Sequence, residues 1–190
     1  MRLTYGVGFN SGGKYKTEES GRRLKVHQVW KEMLRRCYNE KRQVRDPSYI
    51  GCSVAEEWHD YQVFAGWYNG HDYSDMNYQL DKDILVVGNK AYSPDTCCLV
   101  PSEINSILTS CSRARGKYPQ GVCWDKDKAR YKVQMNMNGR YKYLGSFGCV
   151  NEASSKYKIT KEAYVKERAL HWRDRIAPEV FEALMAWELT

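Results

Sequence analysis

Gln79 to Asn105, QLDKDILVVGNKAYSPDTCCLVPSEIN, constrains this chain more than any other stretch. Leu80 and Ile84 flank the triplet Asp81-Lys82-Asp83. Gly88-Asn89-Lys90 reads as a loop, because Gly and Asn tolerate positive φ and Lys keeps the segment wet. Ser93-Pro94-Asp95 is a second turn, with Pro preset for its first corner. Cys97-Cys98-Leu99-Val100 is short, apolar and strand-like. Pro101-Ser102-Glu103 then opens a helix, with an acidic group near its positive end. The run is strand, loop, turn, strand, helix, which can gather acidic and amide side chains around one point. A site for metal-assisted hydrolysis of a phosphodiester needs such a layout.

Two helical segments precede it. LKVHQVWKEMLRRCY (24–38) carries Val26, Val29, Trp30, Met33, Leu34 and Cys37 at spacings of three and four, a single apolar stripe. AEEWHDYQVFAGWY (55–68) predicts a second helix with Trp58, Tyr61, Phe64 and Tyr68 on one side. Between them, residues 39–51 read as a basic loop carrying Lys41, Arg42 and Arg45, either solvated or clamped on phosphates. Residues 1–23 interleave five glycines with Lys14, Lys16, Arg22 and Arg23 and read as a basic arm. Helix, loop, helix, strand, loop, strand, helix is the order of a small α+β domain.

After Asn105 the character changes. ILTSCSRARGKYPQ (107–120) reads as a helix end and a basic linker with Arg113, Arg115 and Lys117. Residues 121–147 read as a three-stranded antiparallel meander. Residues 129–136 alternate Tyr131, Val133 and Met135 against Arg130, Lys132, Gln134 and Asn136, the period of a half-buried strand. Asn138-Gly139 is a hairpin signal. Residues 151–169 predict a helix capped by Asn151, with Ala153, Tyr157, Thr160 and Tyr164 covering one sheet face. The opposite face would then carry Arg130, Lys132, Gln134 and Arg140 or Lys142, chemistry suited to a DNA groove. The tail, 171–190, predicts a short amphipathic helix from Pro178 that packs back on the protein or buries its stripe in a second copy.

Composition narrows the partners. A chain of 190 residues makes one large or two small domains, and its net charge of +7 favours a polyanion. Fifteen tyrosines and six tryptophans either fill the core or stack on bases at a surface. Seven cysteines, an odd number without a secretory signal, argue against a disulfide scaffold. Cys37, Cys52, Cys97 and Cys98 lack paired spacing, so they read as buried thiols and not as zinc ligands. No apolar run matches a membrane span, so a cytoplasmic protein with no membrane partner is expected.

The runs VWKEMLRRCYNEKRQ, YIGCSVAEEWHDYQVFAGWY, LDKDI and NKAYSPDTCCLVPSEIN together resemble phage-encoded HNH-type homing endonucleases. The segment 121–166, with GVCWDKDKARYKVQMNMNGRYKYLGSFGCVNEASSKY, resembles the ethylene-response-factor type of DNA-binding domain, three strands and a helix. The two likenesses span about residues 24–168. They imply an α+β chain with an HNH-like ββα-metal domain at 24–112, a linker at 113–120, a DNA-binding sheet domain at 121–169 and a C-terminal helix at 170–190, after the arm of 1–23.

Carried over by position, the resemblance makes Asp81 a metal ligand and Asn105 the helix-borne residue that completes the metal site. Lys82 stands where the family has its general-base histidine. The middle asparagine of the pattern falls near Thr96. Asp83 has no family counterpart, but on a continuous strand it would share a face with Asp81. A lysine ammonium has no lone pair with which to take a proton from water. Lys82 would then bind the scissile phosphate or stabilise the leaving group, with a Mg²⁺ or Mn²⁺ held by Asp81, Asp83 and Asn105 activating the water. The expected activity is metal-dependent cleavage or nicking of double-stranded DNA. Its nucleic-acid contacts would be Arg130, Lys132, Gln134, Arg140, Lys142, Arg113, Arg115, Lys41 and Arg42. The alternative is a catalytically inactive phage accessory or counter-defence protein that uses the same scaffold to bind DNA or hold a host protein.

Overall fold

Of the stripe read from the sequence, Val26, Trp30, Met33, Leu34 and Cys37 are buried on α1 (Lys25–Tyr38), and Val29 is half-buried. The computed structural model describes residues 3–71, 77–109 and 117–189. The chain divides into two compact units, Met1–Ser102 and Glu103–Thr190, each mixing helix and strand. None of the described helices is long and apolar enough to cross a membrane.

In the first unit a hairpin, β1 (Glu18–Glu19) with β2 (Arg22–Arg23), sets each glutamate opposite an arginine. Helix α1 is followed by α2 (Glu40–Arg45), where the sequence suggested only loop. The Asn39 side chain starts α2 by accepting the Arg42 amide at 2.9 Å, a cap that offsets the poor length of so short a helix. Next come β3 (Ser53–Val54), a 3-10 turn over Glu56–His59 and α3 (Tyr61–Asn69). Helix α3 starts later than expected because Asp60 caps it, taking the Gln62 amide at 3.0 Å. Strands β4 (Tyr78–Asp81), β5 (Ala91–Tyr92) and β6 (Cys98–Pro101) complete the unit. Strand β4 pairs antiparallel with β6, Leu80 opposite Leu99 and Asp81 opposite Cys98, while β3 pairs parallel with β5.

Aromatics fill this unit. Trp30, Trp58, Tyr61, Phe64, Tyr68, Tyr78 and Tyr92 are buried in one cluster with Met33 and Leu34. The Trp30 indole N–H donates to the Trp58 carbonyl at 2.8 Å, so a large side chain enters the core without an orphaned donor. The expected arm is corrected: residues 4–16 are tied to the unit. The Phe9 amide donates to the His59 carbonyl, the Tyr61 amide donates to the Phe9 carbonyl, and the Tyr61 hydroxyl donates to the Lys16 carbonyl at 2.6 Å. Glycine spacing reads the same for a mobile terminus and for a strap that must pass close to a core.

The second unit begins within α4 (Ser102–Leu108). Strands β7 (Val122–Asp125), β8 (Arg130–Met137) and β9 (Arg140–Phe147) form an antiparallel sheet in that order. Asn138 and Gly139, at φ of 53° and 76°, make the two-residue turn their sequence announces. Helix α5 (Val150–Trp172) lays Ala153, Tyr157 and Tyr164 on Val122, Val133 and Met135. It opens on Cys149 rather than Asn151, and the buried row uses Lys161 rather than Thr160, whose hydroxyl donates back to the Lys156 carbonyl. Helix α6 (Pro178–Ala186) buries Val180 and Leu184, and beyond it the Leu189 amide donates to Glu162 of α5 at 3.0 Å. The tail packs back on its own unit.

Candidate nucleic-acid interface and the Asp81 loop

Strand β4 ends at Asp81 for a local reason. The Asp81 Oδ1 accepts the amides of Asp83 at 2.7 Å and Ile84 at 2.8 Å, which turns the chain sharply. The strand therefore stops before Asp83, and the alternation that would have put both carboxylates on one face does not apply. Burial pushes the Asp81 carboxyl up, against the pull of those two amides.

Lys82 turns inward. The residue is 7% exposed, and its ammonium donates to Asp83 Oδ1 at 2.7 Å and to the Asn89 carbonyl. The same ammonium lies 5.9 Å from the centre of the Tyr92 ring. Asn89 closes the loop from the other side: its amide group donates to the carbonyls of Lys82 at 2.9 Å and Ala91 at 2.6 Å, and its oxygen accepts the Ala91 amide. Thr96, the position the family pattern offered for this role, instead donates to the Ala91 carbonyl at 3.0 Å. Asn89 is the residue that sequence reasoning missed. The only signal was an Asn beside a Gly, which reads as a turn without revealing what the side chain holds.

The donor set for a divalent cation fits poorly here. Asp83 already carries the Lys82 ammonium, and a fixed positive charge beside both carboxylates opposes a second cation. Asn105 belongs to the second unit, on α4, where its carbonyl caps Thr109. Among the described residues, no three His, Cys, Asp or Glu side chains converge on a metal-sized point. Cys37 and Cys97 are buried thiols, and burial pushes each up to about 12.

Of the basic loop, Lys41 is exposed, whereas Arg42 spends its guanidinium on Asp46 at 2.9 Å and Glu32 at 3.7 Å. Arg113 and Arg115 lie outside the described residues.

The sheet gives the more coherent surface. Paired residues of an antiparallel sheet share a face. Val133 and Met135 face α5, so Arg130, Lys132, Gln134 and Asn136 face away from it, as alternation predicted. Strand β9 departs from expectation. Met137 pairs with Arg140 and Met135 with Lys142, which puts both cations on the helix side. The open face receives Tyr141, opposite Asn136, and Tyr143, opposite Gln134, at 75% and 57% exposure. A two-residue turn fixes that parity, and a bulge after Val133 then shifts the register so that Ser146 falls opposite Lys132. The open face thus runs from a charged end, Arg130 and Lys132 with Asp125 opposite Arg130, through amides, Gln134 and Asn136, to a tyrosine edge. No family model, no curated protein and no solved structure matches the chain.

Proposed function

We propose that the chain binds duplex DNA through the open face of β7–β9, with the first unit as a nuclease-like scaffold that Lys82 holds closed. One observation carries this reading: cations, amides and exposed tyrosines lie together on a sheet whose other face packs Val122, Val133 and Met135 against α5. Arg and Lys would engage phosphates. Gln134 and Asn136 have the paired donor and acceptor that suit base edges, adenine above all. Tyr141 and Tyr143 would pack against sugars or thymine methyls.

The test is anisotropy of a labelled duplex of about 25 base pairs over a salt series. Each phosphate contact contributes about 0.9 to the slope of log affinity against log salt. Arg130→Ala with Lys132→Ala should lower affinity and flatten the slope by about 2. Unchanged binding in that double variant removes the sheet as the reader. No duplex binding by the wild type leaves the host-protein reading.

A second reading, a Mg²⁺- or Mn²⁺-dependent endonuclease or nickase using Asp81, Asp83 and Asn105, is favoured by the strand, loop, strand, helix order around Asp81. The ammonium on Asp83 counts against it. Plasmid nicking by wild type, lost in Asp81→Ala, would make this the better account.

A further inference from the structure

Lys161 is used neither by the sheet face nor by the Asp81 loop, yet it is 7% exposed in the middle of α5. Its ammonium donates to the Ile107 carbonyl near the end of α4. Among the described residues no carboxylate pairs with it. Glu103, the acid nearest in the same lining, is taken by Arg168 at 2.7 Å and by the Trp172 indole at 2.8 Å. One carbonyl compensates a buried ammonium poorly, and burial accordingly lowers its pKa.

Lys161 lines an open cleft of about 710 Å³ within the second unit. That is the size range of small-molecule sites, about 300–1,000 Å³. Strand β7 begins opposite Val133 and the Gln134 amide still donates to the Gly121 carbonyl at 2.9 Å; beyond it no described strand pairs with β8 on that side, and the cleft lies there. The residues lining it include Tyr118 and Tyr141 and, from β8, Gln134 and Asn136. A cation without a counter-charge asks for an anionic group. Aromatic walls ask for a planar ring, and amides ask for a partner carrying both donors and acceptors.

We infer that this cleft binds a nucleotide, its phosphate on Lys161 and its base among Tyr118, Tyr141, Gln134 and Asn136. The phosphorylated base could belong to a free nucleotide or to an unpaired nucleotide in a strand. The base site shares Gln134, Asn136 and Tyr141 with the open face, so the inference rests on the same strand edge as the duplex reading, and Lys161, on α5, is the residue that distinguishes the two.

Calorimetric titration of the full chain with the four nucleoside 5′-monophosphates tests the first source, with inorganic phosphate and adenosine as controls. Competition between a fully paired duplex and one carrying a single bulged nucleotide tests the second. A monophosphate should bind more tightly than either control, or the bulged duplex should be preferred. That binding or preference should fall at least about tenfold in Lys161→Met, which loses a charge-assisted bond, and persist in Lys161→Arg. Thermal melting of both variants checks that each is folded. If Lys161→Met retains binding of the fully paired duplex while losing the nucleotide signal, the cleft and the sheet face act separately. The inference is overturned if neither a monophosphate nor the bulge is favoured in the wild type, or if Lys161→Met matches the wild type in both.

Discussion

Lys82→Met is the sharpest probe of the central loop. In the wild type the ammonium makes two charge-assisted bonds, to Asp83 and to the Asn89 carbonyl. Bonds to charged groups contribute about 1.5–3 kcal/mol each. Two corrections reduce that sum. The Asp83 side chain is 53% exposed, so water screens its bond and would solvate the carboxylate once the lysine is gone. Methionine also spares the desolvation of a buried charge, and it fills much of the same space. What remains is chiefly the Asn89 carbonyl, left without its donor at about 1–3 kcal/mol. The expected outcome is a first unit less stable by about 1–3 kcal/mol, or a melting point lower by about 4–8 °C for each kcal/mol in a domain near 100 residues. Because the chain has two units, the measurement should be local: hydrogen exchange at the amides of Asp83, Ile84 and Ala91, which the loop network orders. Faster exchange there, with unchanged exchange in β8, is the expected pattern. Protection equal to or above that of the wild type would show that the ammonium does not hold the loop, and the structural role assigned to Lys82 would fall.

The folded-state pKa of Asp81 is raised, so its contribution is fully present below the unfolded value and is lost as pH rises through the folded one. Asp81→Asn keeps an oxygen for the two amides and should therefore be at least as stable as the wild type at neutral pH, its advantage shrinking as pH falls into the ordinary aspartate range; denaturation midpoints measured across that range check it, and an advantage that grows towards acid would contradict it. Gly121→Ala should unfold or loosen the second unit, since the residue sits at φ +74° and a Cβ there would lie 2.0 Å from Tyr157 Cδ2. Overpacking against a buried ring together with left-handed backbone costs about 2–4 kcal/mol, visible as a lower melting temperature.

Periodicity sufficed where a single element decides its own burial. The α1 stripe, the Asn138-Gly139 turn and the alternation of β8 are local patterns, and each appears where the residues placed it. Boundaries were less legible. Asp60 and Asn39 start helices through one side-chain bond apiece, and composition does not distinguish a capping Asp or Asn from one in a loop.

The site divides along the same line. The sequence by itself determined that the chain is basic, that Asp81-Lys82-Asp83 ends a strand beside a turn-rich loop, and that Arg130, Lys132 and Gln134 share a strand face. Tertiary structure decided the rest. It turned Lys82 inward onto Asp83 and Asn89, because Asp81 captures two amides and ends the strand one residue before Lys82. It exchanged Arg140 and Lys142 for Tyr141 and Tyr143 on the open face, because pairing register sets side-chain parity and only the folded hairpin fixes register. It also left the Lys161 ammonium, among the described residues, with no carboxylate bonded to it, a matter of packing between α4 and α5 that no spacing along the chain encodes.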